Sequence, residues 1–547
     1  MFKNLFNKQT NNITLAAFMV AISSLLSRLL GVFRDRILAG EFGAGNTLDI
    51  YYSAFRIPDL IFNLIILGAL SAGFIPVFTG LIKDFKSYNS FGLFKFLNKE
   101  AWDLVNNVLN VILIGLLILS AFGIIFAPGI VKLISPGFSL ESQQLTVVLS
   151  RIMFLSPIFL GISGILGGVL QSFKNFFVYS LAPILYNIGI IVGALYFVPL
   201  WGVKGLAWGV VLGAAMHMLI QLPAVFNLGF RYQAFINFRD TNFRKIIRMM
   251  GPRTLSLAIS QINLVVITVI ASGLASGSLA VFNFANNLQS FPIGIFGISF
   301  AVAAFPILSA NAGDNRKLIT NFSSTTRQIL FFIIPATVLI ITLRAQIIRV
   351  VLGTGSFDWQ DTMLTMETLA FFGLSLFAQA LIPLQTRVFY ARHDSRTPFF
   401  IGLIVVVLNV FLSLYFGKRM GVSGLALAFS LSNILNFILL WIWLWAKIGD
   451  LDQIKILIST VKFSVAAIVG GLVVQVTKTV VWPYINMEKF SGVFIQGLAA
   501  GVFGFAAYLL ICWILRSEEL ASFMNVVRRR LSWHKVKVGD QTEVRGI

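Results

Sequence analysis

Long blocks of apolar residues constrain this chain more than any other feature of its sequence. The blocks at 108–126, 400–416 and 425–445 each approach the ~20 residues that cross a bilayer as an α-helix. Backbone polar groups in hydrocarbon must be satisfied within their own segment, which favours helices, and the short alternating stretches of a transmembrane β-barrel are not seen. The sequence is 57% hydrophobic and only 12% charged, and it predicts an all-α polytopic membrane protein.

About fourteen segments are long enough to be transmembrane helices. The second is unusually long and contains Pro58 and Pro76, so we expect it to be kinked or broken. Most connections are short, so neighbouring helices should pack as antiparallel pairs. The predicted spans are 14–34, 50–79, 104–128, 143–170, 178–200, 203–227, 246–273, 278–309, 322–352, 363–391, 397–417, 421–446, 456–481 and 491–515.

The formal net charge of +21 could indicate nucleic-acid binding, but its distribution favours a membrane explanation. Basic residues gather in alternate loops, with about 27 Lys and Arg on one side and about 9 on the other, as the positive-inside rule requires. We therefore predict an inner-membrane protein with both termini in the cytoplasm and no nucleic-acid partner. The basic segment 517–547 is predicted to be a cytoplasmic tail that lies against anionic membrane lipids.

An internal repeat predicts how the helices are grouped. The sequence GVKGLA at 202–207 recurs as GVSGLA at 421–426, and FIP at 74–76 has a counterpart in AFP at 304–306. The copies are about 220–230 residues, or six helices, apart, so both halves have the same orientation. Chance similarity between apolar segments is the alternative. The prediction is two pseudo-symmetric six-helix lobes followed by two further helices; the boundaries are 1–227, 228–447 and 448–516.

Ionisable side chains cost several kcal/mol at the bilayer centre and need a partner or a water-filled cavity. Arginine suits a phosphate-bearing ligand because its planar guanidinium donates paired hydrogen bonds and stays charged. We interpret Arg28, Arg34 and Arg56 as cavity residues, whereas interfacial anchoring is the alternative and is favoured for Arg36. The first two spans contain most of the charged candidates: Arg28, Arg34, Asp35, Arg36, Asp49, Arg56 and Asp59.

A second set of polar residues lies in the seventh and eighth spans. Intramembrane amides can bind a sugar or a pyrophosphate, but they can equally join helices by hydrogen bonds. The candidates are Arg253, Gln261, Asn263, Asn286 and Asn287. The three histidines are far apart, Cys512 is the single cysteine and no nucleotide-binding loop is present. We therefore expect no catalytic centre, no metal and no cofactor.

The motifs of the first two helices resemble those of the MurJ/MviN family of lipid II flippases, within the multidrug/oligosaccharidyl-lipid/polysaccharide exporter superfamily. The resemblance covers essentially the whole chain, including two helices after the twelfth. The stretches that support it are SRLLGVFRD at 27–35, FGAG at 42–45, FRIPDL at 55–60, GALSAGFIPV at 68–77, PRT at 252–254, QIN at 261–263 and FPIGIF at 291–296.

This resemblance implies a flippase that carries undecaprenyl-pyrophosphate-linked peptidoglycan precursor, lipid II, from the inner to the outer leaflet by alternating access. By analogy, arginines of the first lobe bind the pyrophosphate in a cationic cavity, and the final two helices form a groove for the lipid tail. Arg28, Arg34, Asp35 and Asp49 match the family motif directly, and Arg56 occupies a position that is usually basic. The implied partners are lipid II, membrane lipids and cell-wall synthesis proteins.

The chain departs from the family pattern at three positions, where Phe62, Leu67 and Asn287 replace residues that are charged in many members. The cavity is therefore expected to be less charged, and Arg253 is a hypothetical source of compensating charge. The alternatives are an exporter of another polyprenyl-linked oligosaccharide or of small cations, a non-transporting scaffold for cell-wall enzymes, and a lipid-modifying enzyme. A cation exporter should have cavity carboxylates, whereas this sequence offers arginines.

Overall fold

The computed structural model describes residues 13–67, 73–88 and 99–532. All the regular structure in these ranges is helical, which confirms the predicted all-α class. The helices are α1 (Ile13–Phe42), α2 (Asn46–Phe62), α3 (Ile75–Tyr88), α4 (Lys99–Ile134), α5 (Leu140–Met153), α6 (Ser156–Ser172), α7 (Phe176–Val192), α8 (Lys204–Leu219), α9 (Leu222–Asn227), α10 (Thr241–Ser272), α11 (Ser278–Pro292), α12 (Ser299–Ala310), α13 (Asn315–Thr342), α14 (Arg344–Val351), α15 (Trp359–Gly373), α16 (Leu376–Ala391), α17 (Arg396–Ile448), α18 (Gln453–Val481), α19 (Phe490–Ile514) and α20 (Glu518–Ser532).

Nine helical stretches among the described residues are long and apolar enough to cross a membrane, and a tenth is counted if α15 and α16, bent by 46°, form one span. Helix α17 covers two predicted spans and is interrupted at Gly421, which is not helical. The predicted spans in α1, in α2 with α3 and in α10 each include residues outside the described set, and they stay predictions. The total of fourteen stays a prediction.

Two local features recur at the spacing of the predicted repeat. A π turn, Asn63–Leu67, follows α2, and a second π turn, Ile293–Ile298, follows α11. Gly202 and Gly421, which begin the repeated GVxGLA sequences, have φ angles of 61° and 62°. L-residues with a side chain rarely adopt this left-handed conformation, which explains glycine at both positions. The repeat in the sequence is therefore also a repeat in backbone geometry.

The chain divides into two compact units. Unit 1 contains Met1–Leu288, Val351–Thr368 and Gly402–Ser432, and unit 2 contains Gln289–Val350, Leu369–Ile401 and Asn433–Ile547. The predicted lobes, 1–227 and 228–447, are a different division of the chain and stay a prediction.

The predicted ninth span is wrong at its end. Instead of continuing to 352, α13 ends at Thr342 and α14 begins at Arg344. The carbonyls of Ile341 and Thr342, which α13 leaves unpaired at its end, accept hydrogen bonds from the side chains of Arg344 and Lys478. Cationic side chains thus stabilise a helix end that the apolar pattern alone did not reveal.

Candidate functional site

The charged residues of α1 form a closely bonded group inside unit 1. Arg34 donates hydrogen bonds from Nε (3.0 Å) and Nη2 (2.7 Å) to Oδ1 of Asp35. Its remaining arm, Nη1, donates to Oδ1 of Asn187 on α7 at 3.0 Å. The Asp35 side chain is 6% exposed, whereas that of Arg34 is 22% exposed. The guanidinium is therefore neutralised by its own neighbour in sequence but is still partly accessible.

Asn287 completes this group from α11. Its Nδ2 donates to the second carboxylate oxygen of Asp35 at 2.8 Å. The two predicted residues, Asp35 and Asn287, are thus brought together as a positioning contact, although they lie far apart in the chain. Nothing in the local sequence around Asn187 indicates that it binds Arg34.

The other two arginines of the first helices are less fully engaged. Arg56 is half-buried, and its Nε donates to Thr268 Oγ1 on α10 at 2.9 Å. Asp59 is attracted electrostatically to Arg56, but the described residues show no ion pair between the two. Arg28 is half-buried and forms no hydrogen bond or ion pair to a described residue. Both guanidinium groups retain donors for a ligand.

Two tyrosines lie beside the Arg34 group. The rings of Tyr51 and Tyr52 meet edge to face with centroids 5.3 Å apart, and both tyrosines interact electrostatically with Arg34. The hydroxyl of Tyr52 is buried without a hydrogen-bond partner among the described residues. A buried hydroxyl without a partner is unfavourable, so it is a donor that a polar ligand could satisfy. Sequence reasoning did not select either tyrosine.

Asp49 caps a helix. Its two carboxylate oxygens accept hydrogen bonds from the backbone amides of Gly277 (2.6 Å) and Ala280 (2.8 Å), at the N-terminal end of α11. The residue is only 3% exposed. A carboxylate at this position satisfies free amides and complements the helix dipole. Asp49 is therefore engaged in a structural contact here, and its predicted place in a cavity stays a prediction.

The same end of unit 1 is closed by further backbone contacts. Asp361 Oδ2 accepts from the amide of Ala44 at 2.8 Å, and the amide of Ser356 donates to the Gly40 carbonyl at 2.7 Å. Gly277 has a φ of 88°, and a Cβ there would lie 1.7 Å from the carbonyl oxygen of Ala44. Only glycine permits an approach this close. Amides and carboxylates thus join the loops at this end, alongside apolar contacts such as that between Phe284 and Phe357, whose ring centroids are 6.1 Å apart.

The predicted residues of α10 are less well determined. Gln261 and Asn263 are half-buried, and Oδ1 of Asn263 is a buried acceptor without a partner among the described residues. Asn286 is half-buried on α11. The side chain of Arg253 lies outside the described residues. No group of three His, Cys, Asp or Glu in the described ranges is placed to hold a metal ion.

Unit 2 contains a cavity of a different kind, with a volume of about 410 Å³. Its wall is built by α13, α16, α17 and α18 and is mainly apolar. The lining residues are Thr326, Leu330, Phe377, Leu381, Phe437, Ile438, Trp441, Ile442, Gln453, Ile456, Leu457 and Thr460. The sequence predicted a lipid-tail groove between the last two helices, 448–516. In this cavity α18 takes part, but none of the lining residues belongs to α19.

Comparison with known proteins places this architecture. A solved structure described as lipid II flippase MurJ in an inward closed conformation matches 91% of this chain and 98% of its own, with a TM-score of 0.72 and 24% identity. An inward-facing multidrug resistance MATE family transporter of the MOP superfamily matches 80% of this chain and 99% of its own, with a TM-score of 0.63 and 17% identity. Both likenesses show the fold.

Sequence comparison identifies the family. A Haemophilus influenzae protein described as probable lipid II flippase MurJ is 30% identical over 503 residues, 89% of this chain and 98% of that protein. The lipid II flippase MurJ of Burkholderia cenocepacia is 28% identical over 447 residues, 79% of this chain and 84% of that protein. A sequence profile described as lipid II flippase MurJ matches residues 38–494. The chain therefore belongs to the MurJ family, a family of multi-pass proteins of the bacterial inner membrane.

Proposed function

We propose that this protein is a flippase that moves lipid II from the inner to the outer leaflet of the inner membrane. The observation that supports this function most directly is the Arg34 group. Its guanidinium is partly exposed and is neutralised within its own helix by Asp35; its other hydrogen bond to a described residue goes to the neutral amide of Asn187. An anionic ligand can therefore replace the bonds to Asp35 within α1, while the hydrogen bond from Nη1 to Asn187 continues to join α1 to α7.

Binding is an exchange of hydrogen bonds. A pyrophosphate offers several anionic oxygens with the geometry that a guanidinium recognises through paired donors. When it takes the donors of Arg34, the Asp35 carboxylate is still held by Asn287, so that charge is not left without a partner. Arg28 and Arg56 add charge, and Tyr52 adds a free hydroxyl. The pyrophosphate of lipid II is a diester with two negative charges, which three guanidinium groups less the charge of Asp35 balance, and no covalent step is needed.

Transport also requires the two sides of the membrane to be reached in turn. The contacts of Asp49 and Asp361 close one end of unit 1 by hydrogen bonds to backbone amides. If both termini are cytoplasmic, as the charge distribution predicts, this end is the outer one, and the present state is closed to the outside. Opening would exchange these amide contacts for water, which hydrogen-bonds such groups nearly as well. Alternating access by the two lobes is the mechanism we propose.

The apolar cavity of unit 2 is proposed to hold part of the polyprenyl tail. Its volume lies within the range of small-molecule pockets, and its wall contains three large aromatic side chains, Phe377, Phe437 and Trp441. A hydrocarbon chain needs no polar partner and is bound by burial of apolar area. The headgroup and the tail would then be bound by chemically distinct regions of the protein.

Complementation tests the function. A bacterium depleted of its own lipid II flippase should grow when it expresses the wild-type chain, and should not grow with Arg34→Ala at matched expression. Arg151→Ala is the matched control, because Arg151 is an exposed arginine of unit 1 whose hydrogen bond within the described ranges goes to the Ile124 carbonyl, 3.1 Å away. The control variant should rescue growth as well as the wild type.

The outcomes separate the alternatives. Rescue by Arg34→Ala would contradict the role of the arginine group. If variants that cannot transport lipid II also rescued growth, a non-transporting scaffold for cell-wall enzymes would be favoured. Lipid II would be excluded as the substrate if the wild-type chain is correctly inserted but does not rescue growth, and if it does not transport lipid II in proteoliposomes. An exporter of another polyprenyl-linked oligosaccharide would then be tested in the same vesicles.

A further inference from the structure

We propose that the end of α13 carries a second anion site, in which Arg344 and Lys478 bind the phosphate group of a membrane lipid. This site lies in unit 2 and contains none of the residues of the Arg34 group. The phosphate could belong to an anionic phospholipid or to a polyprenyl pyrophosphate. Only the second source rests on the proposed function.

The two cations are held side by side at the helix end. Nζ of Lys478 donates to the Thr342 carbonyl at 2.9 Å, and Nη1 of Arg344 donates to the Ile341 carbonyl at 3.0 Å. Because these carbonyls belong to consecutive residues, the ammonium and guanidinium groups are neighbours. Like charges brought this close repel each other, so a bound anion would stabilise the arrangement.

The helix end does not balance the charge of these two cations. A helix C-terminus is equivalent to only about half a negative charge, against two full positive charges here. In the described ranges, neither Arg344 nor Lys478 forms an ion pair with a carboxylate. Each uses one donor on a carbonyl, whereas an ammonium has three donors and a guanidinium five. Both groups therefore keep donors for a phosphate.

The surrounding contacts fix the site before any ligand arrives. Gln346 donates to Oε1 of Gln496 at 2.9 Å, and Nε2 of Gln496 donates to the backbone carbonyl of Lys478 at 3.0 Å. Beneath them, Leu343, Val474 and Ala500 form a small buried cluster. These contacts join α14, α18 and α19 around the two cations. A site held in this way loses little conformational entropy when it binds.

A membrane lipid is the ligand that this position favours. Helix α18 exposes Leu472, Val476 and Val480, each by 61%, as expected of a surface that faces hydrocarbon. Lys478 lies on the opposite face of α18, one turn after the buried Val474, and both cations are half-buried near the end of the candidate membrane span Gln453–Tyr484, where lipid phosphates are expected. In the predicted topology this is the side with few basic residues, so the positive-inside rule does not account for the two cations.

Native mass spectrometry of the full-length protein tests the site. The experiment uses an Arg34→Ala background, which removes the proposed substrate site, and offers phosphatidylglycerol or undecaprenyl pyrophosphate in separate arms. The Arg344→Gln/Lys478→Gln variant should retain about tenfold less of at least one lipid, since hydrogen bonds to charged groups are worth more than neutral ones. Lys489→Gln is the matched control, because Lys489 is an exposed cation near the same end of α18.

Each result has a definite meaning. Loss of phosphatidylglycerol alone identifies a phospholipid site, loss of undecaprenyl pyrophosphate alone identifies a carrier site, and loss of both identifies a general lipid-phosphate site. Equal retention of both lipids by wild-type and double-variant proteins would overturn the proposal. Lys478→Arg keeps the charge and should keep the lipid; if it loses as much lipid as the glutamine variant, binding does not depend on this charge and the proposal also fails.

Discussion

Two arginine–carboxylate pairs in this protein have nearly the same chemistry, but one lies within a single helix and the other joins two helices. In unit 1, Arg34 pairs with Asp35, the next residue of the same helix; in unit 2, Arg327 of α13 pairs with Glu519 of α20. The carboxylate side chain is 6% exposed in both pairs, but Arg34 is 22% exposed and Arg327 only 10%. A pair within one helix connects no separate elements, so a ligand can replace it at lower cost to the fold.

The Arg327 pair belongs to a network that fastens three helices. Arg327 Nη1 also donates to Glu518 at 3.1 Å, and Glu518 accepts from Lys455 of α18 at 3.1 Å. Glu519 accepts further hydrogen bonds from Ser459 and Ser517. By contrast, the other partners of the Arg34 pair are neutral amides. The difference is what the proposed binding role of the Arg34 group requires, whereas the Arg327 network joins helices of unit 2.

The largest expected effect comes from Glu519→Gln. Removing one partner of a buried ion pair costs about 3–5 kcal/mol when the remaining charge is left alone. Because Glu518 still contacts Arg327, we expect the lower end of this range, about 3 kcal/mol. Glu518→Gln is the matched control, because Glu518 contacts the same arginine but its side chain is 65% exposed, and exposed pairs contribute about 0–1 kcal/mol. Thermal unfolding in detergent measures both. Equal destabilisation by the two variants would show that burial does not distinguish these carboxylates.

The apolar cavity of unit 2 should be sensitive to filling. Leu457→Trp places an indole at the rim of the cavity. Each methylene group of the lipid tail that the indole excludes loses about 0.8 kcal/mol of binding free energy. Exclusion of two methylene groups therefore lowers the affinity for the tail about tenfold. Ile458→Trp is the control, since Ile458 is similarly exposed but does not line the cavity. Transport of lipid II in proteoliposomes is the readout. If Ile458→Trp reduces transport as much as Leu457→Trp does, the proposed tail site is contradicted.

A smaller effect is expected from Asn287→Ala. This change removes one hydrogen bond from Asp35, worth about 1 kcal/mol, and should reduce transport about fivefold while leaving unfolding temperature nearly unchanged. Asn283→Ala, one turn earlier, removes only a bond to the Leu279 carbonyl of the same helix. If Asn287→Ala lowers stability and leaves transport intact, the role of Asp35 is structural. The contrast between the Arg34 and Arg327 pairs would then not hold.

The smallest effect concerns Asp394, in the loop between α16 and α17. Its partial burial would raise the pKa, but hydrogen bonds from Lys447 and Thr397 outweigh it and lower the pKa from 3.8 to about 2. A depressed folded-state pKa adds stability above the unfolded pKa and loses it as pH falls toward 2. Wild type should therefore lose stability relative to Asp394→Asn between about pH 4 and 2. Parallel unfolding curves over that interval would contradict this assignment.

Much of the fold could be predicted because helix formation in a membrane depends on local sequence. The apolar blocks located the helices, and the repeat located two glycines with the same unusual φ. The break after Thr342 was missed because it depends on Lys478, a residue of another helix. Local patterns do not contain that information.

The site was predicted in part for a similar reason. Charged residues within a span are conspicuous, and Arg34, Asp35 and Asn287 do lie together. Asn187 and Thr268 are ordinary polar residues whose role depends only on which helix lies beside them. The capping role of Asp49 likewise requires the position of α11, which the sequence does not give.

The π turn after α11 determines which residues share a helical face. In an unbroken α-helix, Ile307 would follow Gln289 by five full turns and return to the same face. A π turn contains an additional residue, which rotates the chain that follows by about 100° relative to that register. Gln289 is accordingly 1% exposed, whereas Ile307 is 53% exposed. Deleting one residue from Ile293–Ile298 would restore an α-helical turn and leave both faces in place, whereas converting the segment to an α-helix at its present length would rotate Ile307 toward the face of Gln289.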